Sequence, residues 1–595
     1  MQNHYDFALI FHQYSLYYIS LNVTGLIMGF LNKFSNIKEC IDNSSIYNIY
    51  YNQEIDNNIV FLESRNGNDF TGNIFRIAEE ISSGKYGNFK IYVFAKKEVA
   101  LKISALKKKY NLKITKVITN EKEATKILFK AKYIFTDSGI LHKFVKKPKQ
   151  VVLNTWHGTP LKLMGFDNVS EQNFIGIIQH SLLNSDYLLY PNDYMCHKML
   201  NAYMIDKIYP GKILNEGYPR NSVFLDEARR SEFRKMFGMD DKEIYVYMPT
   251  FKGVVNDRKD EQQFQEVTDF LSLIDMHLND NQVLFTKFHP YNQSKIDFTR
   301  YSHIKAFPND FETYDIVNMA DCLITDYSSV FFDFLNTRRK IIIFNYDEEE
   351  YLKERGFYFP LSDLPFPKAR SIDELIDNLN IKKDYDDTEL VEKFCKYDKI
   401  DSVENICNCV IKDKVPEGIL TVENSKKNIL IQVSDFSNKK QFDNLLEFLT
   451  NANFENYNVF ITFKYWDEYL LDNHEEIFSR IPDFVEYLPV SFNLTPTFRE
   501  KIELDKFLKS NSINPPRKVQ RLFKRSYLRQ YGYVKFDLMI NFDDKDKIST
   551  LKFASTPFKK VFFTESNGDN ELSKFYDVVL GDVKQLCAFL EDSSF

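Results

Sequence analysis

From Asn58 onward, short apolar runs alternate with helix-length amphipathic runs, the pattern of a parallel sheet covered by helices. The first set of apolar runs predicts strands over 59–63, 90–94, 113–117, 133–136, 151–154 and 187–190. A second alternation starts at Glu243 and predicts strands over 244–248, 283–287, 322–325 and 340–344, with helices near 262–278 and 329–335. The polar stretch 412–428, which contains Pro416 and Gly418, reads as a linker. A fresh strand over 429–433 follows it, with further strands over 457–463, 538–541, 560–563 and 578–580. The chain is therefore expected to be α/β. Two Rossmann-like lobes, 1–235 and 236–411, face a cleft, and a third α/β domain occupies 429–595.

The N-terminal stretch departs from this rhythm. Between Asp6 and Lys33 its only ionisable groups are His12 and tyrosine hydroxyls. Gln13, Ser15, Ser20, Asn22 and Thr24 interrupt it, Gly25 and Gly29 sit in its second half, and neither a basic leader nor a small-residue cleavage site is present. It reads as a strand and helix of a buried unit, with a membrane-surface segment as the alternative. No other stretch is apolar enough to span a bilayer.

Composition narrows the class. A chain of 595 residues with 44% hydrophobic and 15% aromatic positions has apolar mass for about three cores. A formal charge of −7 argues against a dedicated nucleic-acid binder, which needs a basic surplus. The seven cysteines are scattered with no CxxC pair, so neither a zinc site nor a disulfide framework is indicated and a reducing cytoplasm fits.

No GxGxxG, Walker A, GxSxG or HExxH motif occurs, which removes the commonest dehydrogenase, NTPase, hydrolase and zincin readings. Three other segments place polar residues where a strand ends, the edge at which α/β sheets keep their ligands. In Asn154-Thr-Trp-His-Gly-Thr-Pro-Leu-Lys162, His157 emerges beside Trp156 before a turn forced by Gly158 and Pro160. It reads either as a general base with a pKa near working pH or as a histidine that only caps the strand end. In Leu284-Phe-Thr-Lys-Phe-His-Pro-Tyr291, Lys287 and His289 are two apart, so a continuing strand would aim both at one phosphate. In Cys322-Leu-Ile-Thr-Asp-Tyr-Ser-Ser-Val-Phe-Phe-Asp333, a strand runs into a helix capped by Asp326 or Ser328. Its free N–H groups suit a pyrophosphate, or the segment is an ordinary capped helix.

These segments carry a resemblance. Thr155-Trp-His-Gly-Thr-Pro-Leu-Lys162, Gly217-Tyr-Pro-Arg-Asn221, Met248-Pro-Thr-Phe-Lys252, Lys287-Phe-His-Pro290 and Ile324-Thr-Asp-Tyr-Ser-Ser329, together with the tract Asp315 to Asp321, resemble in this order the CDP-glycerol glycerophosphotransferase family of teichoic acid and capsule polymerases and primases. The resemblance covers 59–358. It implies a GT-B-like fold, acceptor on the first lobe and CDP-activated donor on the second. It makes His157 the general base and His289 the ligand that stabilises charge as CMP leaves. Thr250, Lys252, Lys287, Asp326, Ser328 and Ser329 become donor-binding residues. Trp156, Gly158, Thr159, Lys162 and Arg220 fall on the acceptor side or the lobe crossing. Displacement at phosphorus needs such positioning, a base and donors to the leaving oxygens.

The expected activity is transfer of glycerol phosphate from CDP-glycerol to a hydroxyl of a lipid-linked or capsular acceptor, with CDP-ribitol as the close variant. A nucleotide-sugar glycosyltransferase and a non-catalytic envelope scaffold are the rivals. No tightly bound metal is expected, free Mg2+ being a stimulant at most. The third domain looks like part of a glycosyltransferase lobe around Arg529 to Phe542 and is expected to serve acceptor binding, assembly or lobe support. Within it Arg517, Lys518, Arg521, Lys524, Arg525 and Arg529 flank Val519, Leu522, Phe523 and Tyr527 at helical spacing. This helix reads as a contact to an anionic membrane or polyanionic chain, or as a solvated helix packed by its apolar stripe. An oligomer is compatible with all of this, and a peripheral position on the inner face of a bacterial membrane is expected.

Overall fold

The computed structural model describes residues 25–250, 259–288, 293, 295–416, 418–422, 424–542, 546–564 and 571–592. Three sheets organise them. The first contains β1 (Asp56–Glu63), β2 (Lys90–Phe94), β3 (Ile114–Ile118), β4 (Ala131–Thr136), β5 (Val151–Asn154), β6 (Tyr187–Leu189) and β7 (Lys212–Leu214). The second contains β8 (Glu243–Met248), β9 (Gln282–Thr286), β10 (Ile304–Ala306), β11 (Cys322–Thr325), β12 (Lys340–Phe344) and β13 (Lys368–Ala369). After β14 (Ile419–Thr421), the third contains β15 (Lys427–Gln432), β16 (Tyr457–Thr462), β17 (Val485–Tyr487), β18 (Leu538–Asn541), β19 (Lys559–Phe563) and β20 (Val578–Leu580).

The strand order is β14-β7-β6-β5-β4-β1-β2-β3 in the first sheet, β10-β9-β8-β11-β12-β13 in the second and β17-β16-β15-β18-β19-β20 in the third. Each is the doubly wound order in which direction reverses between the first and fourth strands, and the crevice beyond that switch point is where such sheets bind ligands. The switch points are β1/β4, β8/β11 and β15/β18, all parallel pairs. Helices cover both faces, so β9, β11 and β16 are buried along their whole length and are mostly apolar.

Two expected boundaries move. The helix Glu227–Met236 belongs to the second lobe. Its Arg229 pairs with Asp315 at 2.6 Å, Arg230 and Arg234 pair with Asp321 at 2.6 and 3.0 Å, and Phe233 lies in the second lobe's core. The chain thus crosses over within Pro219–Leu225, before 235. The stretch 412–428 is not only a linker, because β14 lies within it and pairs antiparallel with β7. The helix Ser402–Lys412 also returns to the first lobe, its buried Ile406, Cys407 and Val410 sharing that lobe's core.

The third domain is not a separate appendage. Its core is continuous with that of the first lobe, with Phe166 stacked on Tyr487 at 4.9 Å and Gln179 Nε2 donating to the Tyr487 carbonyl at 2.8 Å. The helix Gly25–Ser45 packs at the same seam, Asn43 donating to the Pro496 carbonyl and Ser44 Oγ accepting from Phe498 N–H. The rest of the charge-poor N-terminal stretch lies outside the described residues. No described helix is long and apolar enough to cross a membrane.

Candidate functional site

The first half of the site is the β1/β4 switch point. Asp137 follows β4, and its buried carboxylate accepts from Ser64 Oγ and from Arg65 N–H, both at 2.7 Å. This clamp fixes a loop in which Arg65, Asn66 and Gly67 all take positive φ, at 47°, 53° and 79°. Left-handed backbone is costly for a residue with a Cβ and concentrates at functional sites. The loop presents Arg65, whose guanidinium makes no hydrogen bond or ion pair among the described residues.

His157 stands beside it at the end of β5. Asn154 Oδ1 accepts from Trp156 N–H at 2.9 Å, and Trp156 sits at φ 50°, which turns the chain sharply and stacks the indole on the His157 ring at 4.6 Å. His157 Nδ1 lies 2.8 Å from the Asp137 carbonyl oxygen. A carbonyl only accepts, so Nδ1 carries the proton and Nε2 keeps its lone pair. Burial, aided by the nearby Arg65 and Arg220 charges, pushes the ring down to about 3. The expected value near working pH is therefore corrected downward: the imidazole is neutral at any physiological pH.

The second half repeats the design at the β8/β11 switch point. Asp326, after β11, accepts from Thr250 N–H at 2.8 Å and from Thr250 Oγ1 at 2.6 Å, and also from Tyr327 N–H. Its carboxylate organises the loop after β8, so it is not the cap of the following helix. That helix, Val330–Phe334, has five residues and begins at Ser329 without a side-chain cap; Ser328 Oγ lies 3.5 Å from Val330 N. The helix expected over 329–335 is thus found as this α-turn continued by a 3-10 turn over Leu335–Thr337, without the expected side-chain cap. Ser328 and Ser329 are half-buried hydroxyls at its start.

Lys287 lies just past β9, which ends at Thr286. Its ammonium donates to Thr313 Oγ1 at 2.6 Å. Burial and neighbouring Lys102 push it down to about 8 against the pull of Asp69 and Glu312. His289 and Lys252 lie outside the described residues.

The halves meet at Gly158. A methyl group there would lie 2.6 Å from Ser329 Oγ, so only a glycine lets the first and third segments approach this closely. Arg220 bolts the junction. One guanidinium nitrogen donates to the His157 carbonyl at 3.0 Å, the other pairs with Asp333 at 2.8 Å, and the buried group lies over the rings of Tyr218 and Tyr314. Burial opposes its charge, but Asp333 together with Tyr314 and Tyr218 outweighs burial and raises its pKa. Two further bridges join the lobes. Glu312 accepts from Gly72 N–H at 2.8 Å, and Lys162 sets its ammonium 5.1 Å from the centre of the Tyr351 ring. Thr159 is buried inside the first lobe, accepting from Asn192 Nδ2 at 3.2 Å.

Of the residues singled out from sequence, the structure brings His157, Trp156, Gly158, Ser328 and Ser329 to one junction and places Thr250 and Asp326, expected to bind the donor, in a clamp between two loops. It missed Arg65, Asp137, Glu312 and Asp333. The polar run Glu63-Ser-Arg-Asn-Gly67 at a strand end was the available signal for Arg65. Asp137 and Glu312 act through distant backbone N–H groups and Asp333 through the Arg220 side chain, contacts that leave no mark in sequence. Among the described residues no group of three His, Cys, Asp or Glu is arranged to hold a metal.

Two doubly wound lobes meeting at their switch points, a neutral histidine on one and a lysine and hydroxyls on the other, define a two-lobed α/β enzyme of GT-B-like architecture. Residues 45–412 match the family model described as CDP-Glycerol:Poly(glycerophosphate) glycerophosphotransferase, and the chain belongs to that family. It is 31% identical over 299 residues to the teichoic acid poly(glycerol phosphate) polymerase of Bacillus spizizenii, covering 46% of this chain and 73% of that protein. It is 31% identical over 291 residues to the teichoic acid glycerol-phosphate transferase of Staphylococcus aureus, covering 45% and 72%. Among solved structures, the wall teichoic acid polymerase TagF superposes with a TM-score of 0.51 at 22% identity, covering 64% of this chain and 97% of that one, a likeness of fold.

Proposed function

We propose that the protein transfers glycerol phosphate from CDP-glycerol to the terminal hydroxyl of a teichoic-acid-type or capsular acceptor and releases CMP. The observation that carries this reading is the meeting of Gly158 and Ser329, which sets an unprotonated histidine of one lobe against the hydroxyl-bearing turn of the other. In the forward reaction His157 Nε2 takes the proton of the acceptor hydroxyl as its oxygen attacks the β-phosphorus of the donor. The bond from that phosphorus to the bridging oxygen breaks, and the electron pair leaves with CMP. Lys287, Arg65 and the Ser328 and Ser329 hydroxyls meet the charge on the phosphates, with His289 and Lys252 joining them on the strength of the family resemblance. Stabilising charge on equatorial and leaving oxygens is the main catalytic demand of such a displacement. Protein cations supply it, so no resident metal is required and free Mg2+ acts at most on the donor. Trp156 shields one face of the base from water.

An acceptor on a lipid would place the enzyme at the inner face of the membrane as a peripheral protein. The decisive assay supplies purified protein with CDP-glycerol and a defined glycerol phosphate acceptor and measures CMP and the lengthened product. CDP-ribitol and nucleotide sugars serve as competing donors. Turnover of a nucleotide sugar with none of CDP-glycerol or CDP-ribitol would overturn the reading.

A further inference from the structure

The third domain holds a cavity of about 540 Å3 that the transfer site does not use. Its rim comes from the helix Arg517–Tyr531, through Arg517, Arg521 and Lys524, and its apolar wall includes Leu551 and Phe575. The six cations of the helix separate into two groups. Lys518 pairs with Glu503 at 3.3 Å, Arg525 pairs with Glu500 at 2.7 Å, and buried Arg529 donates to Thr495 Oγ1 at 2.9 Å. These three belong to the fold. Arg517, Arg521 and Lys524 are exposed and make no hydrogen bond or ion pair among the described residues.

Spacings of four and three put these three on one helix face along about 10 Å of axis. Like charges so placed repel and destabilise a helix, and no contact among the described residues offsets this. The arrangement suits a ligand that brings several negative charges at intervals together with carbon atoms for the apolar wall. A planar bilayer presents its headgroups to a flat or convex face, whereas these cations line one side of a concavity.

The cavity is also tied to the base. The Arg529 carbonyl accepts from His180 Nδ1, on the helix Gly176–Leu183. Ser181 of that helix accepts from Asn154 Nδ2 at 3.2 Å, and Asn154 holds the turn that carries His157. We propose that this cavity binds the phosphodiester backbone of a polyol-phosphate chain, the part of the acceptor already made, while His157 acts at its terminal hydroxyl. This rests on the transferase reading above. A second anchor on the same packed unit raises the local concentration of chain ends at the site.

The test measures binding without donor. A labelled, lipid-free glycerol phosphate oligomer is titrated into the full-length protein, beside vesicles containing phosphatidylglycerol. The wild type should bind the oligomer in a salt-sensitive manner. R517E/R521E/K524E should weaken it by more than about 100-fold, since losing each exposed cation costs roughly a factor of five in binding an anionic partner and the introduced carboxylates add repulsion. CMP release with a single-unit acceptor should stay unchanged, and R517Q/R521Q/K524Q, with its fold checked by circular dichroism, should show an intermediate loss. Unchanged oligomer affinity in a folded variant overturns the proposal. So does vesicle binding that depends on these three residues and is not displaced by the oligomer, which would make the face a membrane contact. Because binding is read without donor, a failure of catalysis leaves this result standing on its own.

Discussion

Arg220 and Asp333 form a buried ion pair across the two lobes, 2.8 Å apart, and the same guanidinium holds the His157 carbonyl. One side chain thus fixes both the lobe junction and the backbone of the base. Removing one member of such a pair strands a buried charge and costs about 3–5 kcal/mol. Arg220→Ala should lower the thermal midpoint sharply and abolish transfer. Arg220→Met combined with Asp333→Leu should recover most of the stability and little of the activity, since the His157 carbonyl stays unheld. Recovery of both together would reduce Arg220 to a packing element.

Gly158 tests the approach of the lobes directly. Gly158→Ala places a methyl 2.6 Å from Ser329 Oγ, so transfer should fall by about tenfold or more through misplacement of reacting groups. Adding Ser329→Gly removes both the hydroxyl and the Cβ that the methyl meets. The CDP-glycerol KM and kcat of the double variant should then separate the lost hydroxyl from the relieved clash. A single Gly158→Ala variant with wild-type kcat would refute the tight junction.

His157→Ala should cost on the order of 100-fold or more in kcat with the fold intact, as removal of a general base typically does. A histidine that only caps the strand would leave kcat nearly unchanged, so the assay decides between the two readings of this residue.

The pH profile follows from the two perturbed groups. A ring held near 3 stays neutral from pH 5 upward, so His157 contributes no acid limb in that range. Lys287, lowered to about 8, loses its charge as pH rises through that value, and kcat/KM should fall there with it. Lys287→Arg should remove the alkaline limb, because a guanidinium does not titrate in this range. The same sign rule applies to stability. Below the ordinary histidine value of about 6.5, the unfolded chain takes up a proton that the folded His157 refuses, so its contribution to stability falls as pH drops from about 6.5 toward 3.

The strands that sequence located within a residue or two, such as 151–154 and 322–325, carry three consecutive apolar residues each and are buried almost throughout. The short strands β7, β10, β13, β14 and β17 escaped, since each breaks its two or three positions with Lys, Thr or Glu, whereas the equally short β6 and β20 have no such break. The lobe boundaries were displaced for a related reason. What assigns Glu227–Met236 to the second lobe is Arg229 reaching Asp315, a contact that local pattern does not encode. The motif residues at strand ends were legible because Gly, Pro, His and Ser cluster there. Asp326 was legible only as a helix cap or donor-binding residue and Asp137 not at all, because the backbone N–H groups they clamp lie far off in sequence, 72 positions away for Arg65 and 76 for Thr250.

Arg65 offers the sharpest separation of function from stability. Its φ of 47° costs a residue bearing a Cβ about 1 kcal/mol relative to glycine. Arg65→Gly should therefore raise the unfolding free energy by about that amount, since the Asp137 clamp on its N–H survives the change. The same variant loses the guanidinium that stands unpaired among the described residues beside His157. Its KM for CDP-glycerol should rise, and Arg65→Lys, which keeps charge but not the fork, should fall between. A more stable protein with weaker donor use is the signature of strain kept for a ligand. Greater stability with unchanged kinetics would show that the loop's strain serves something other than the donor.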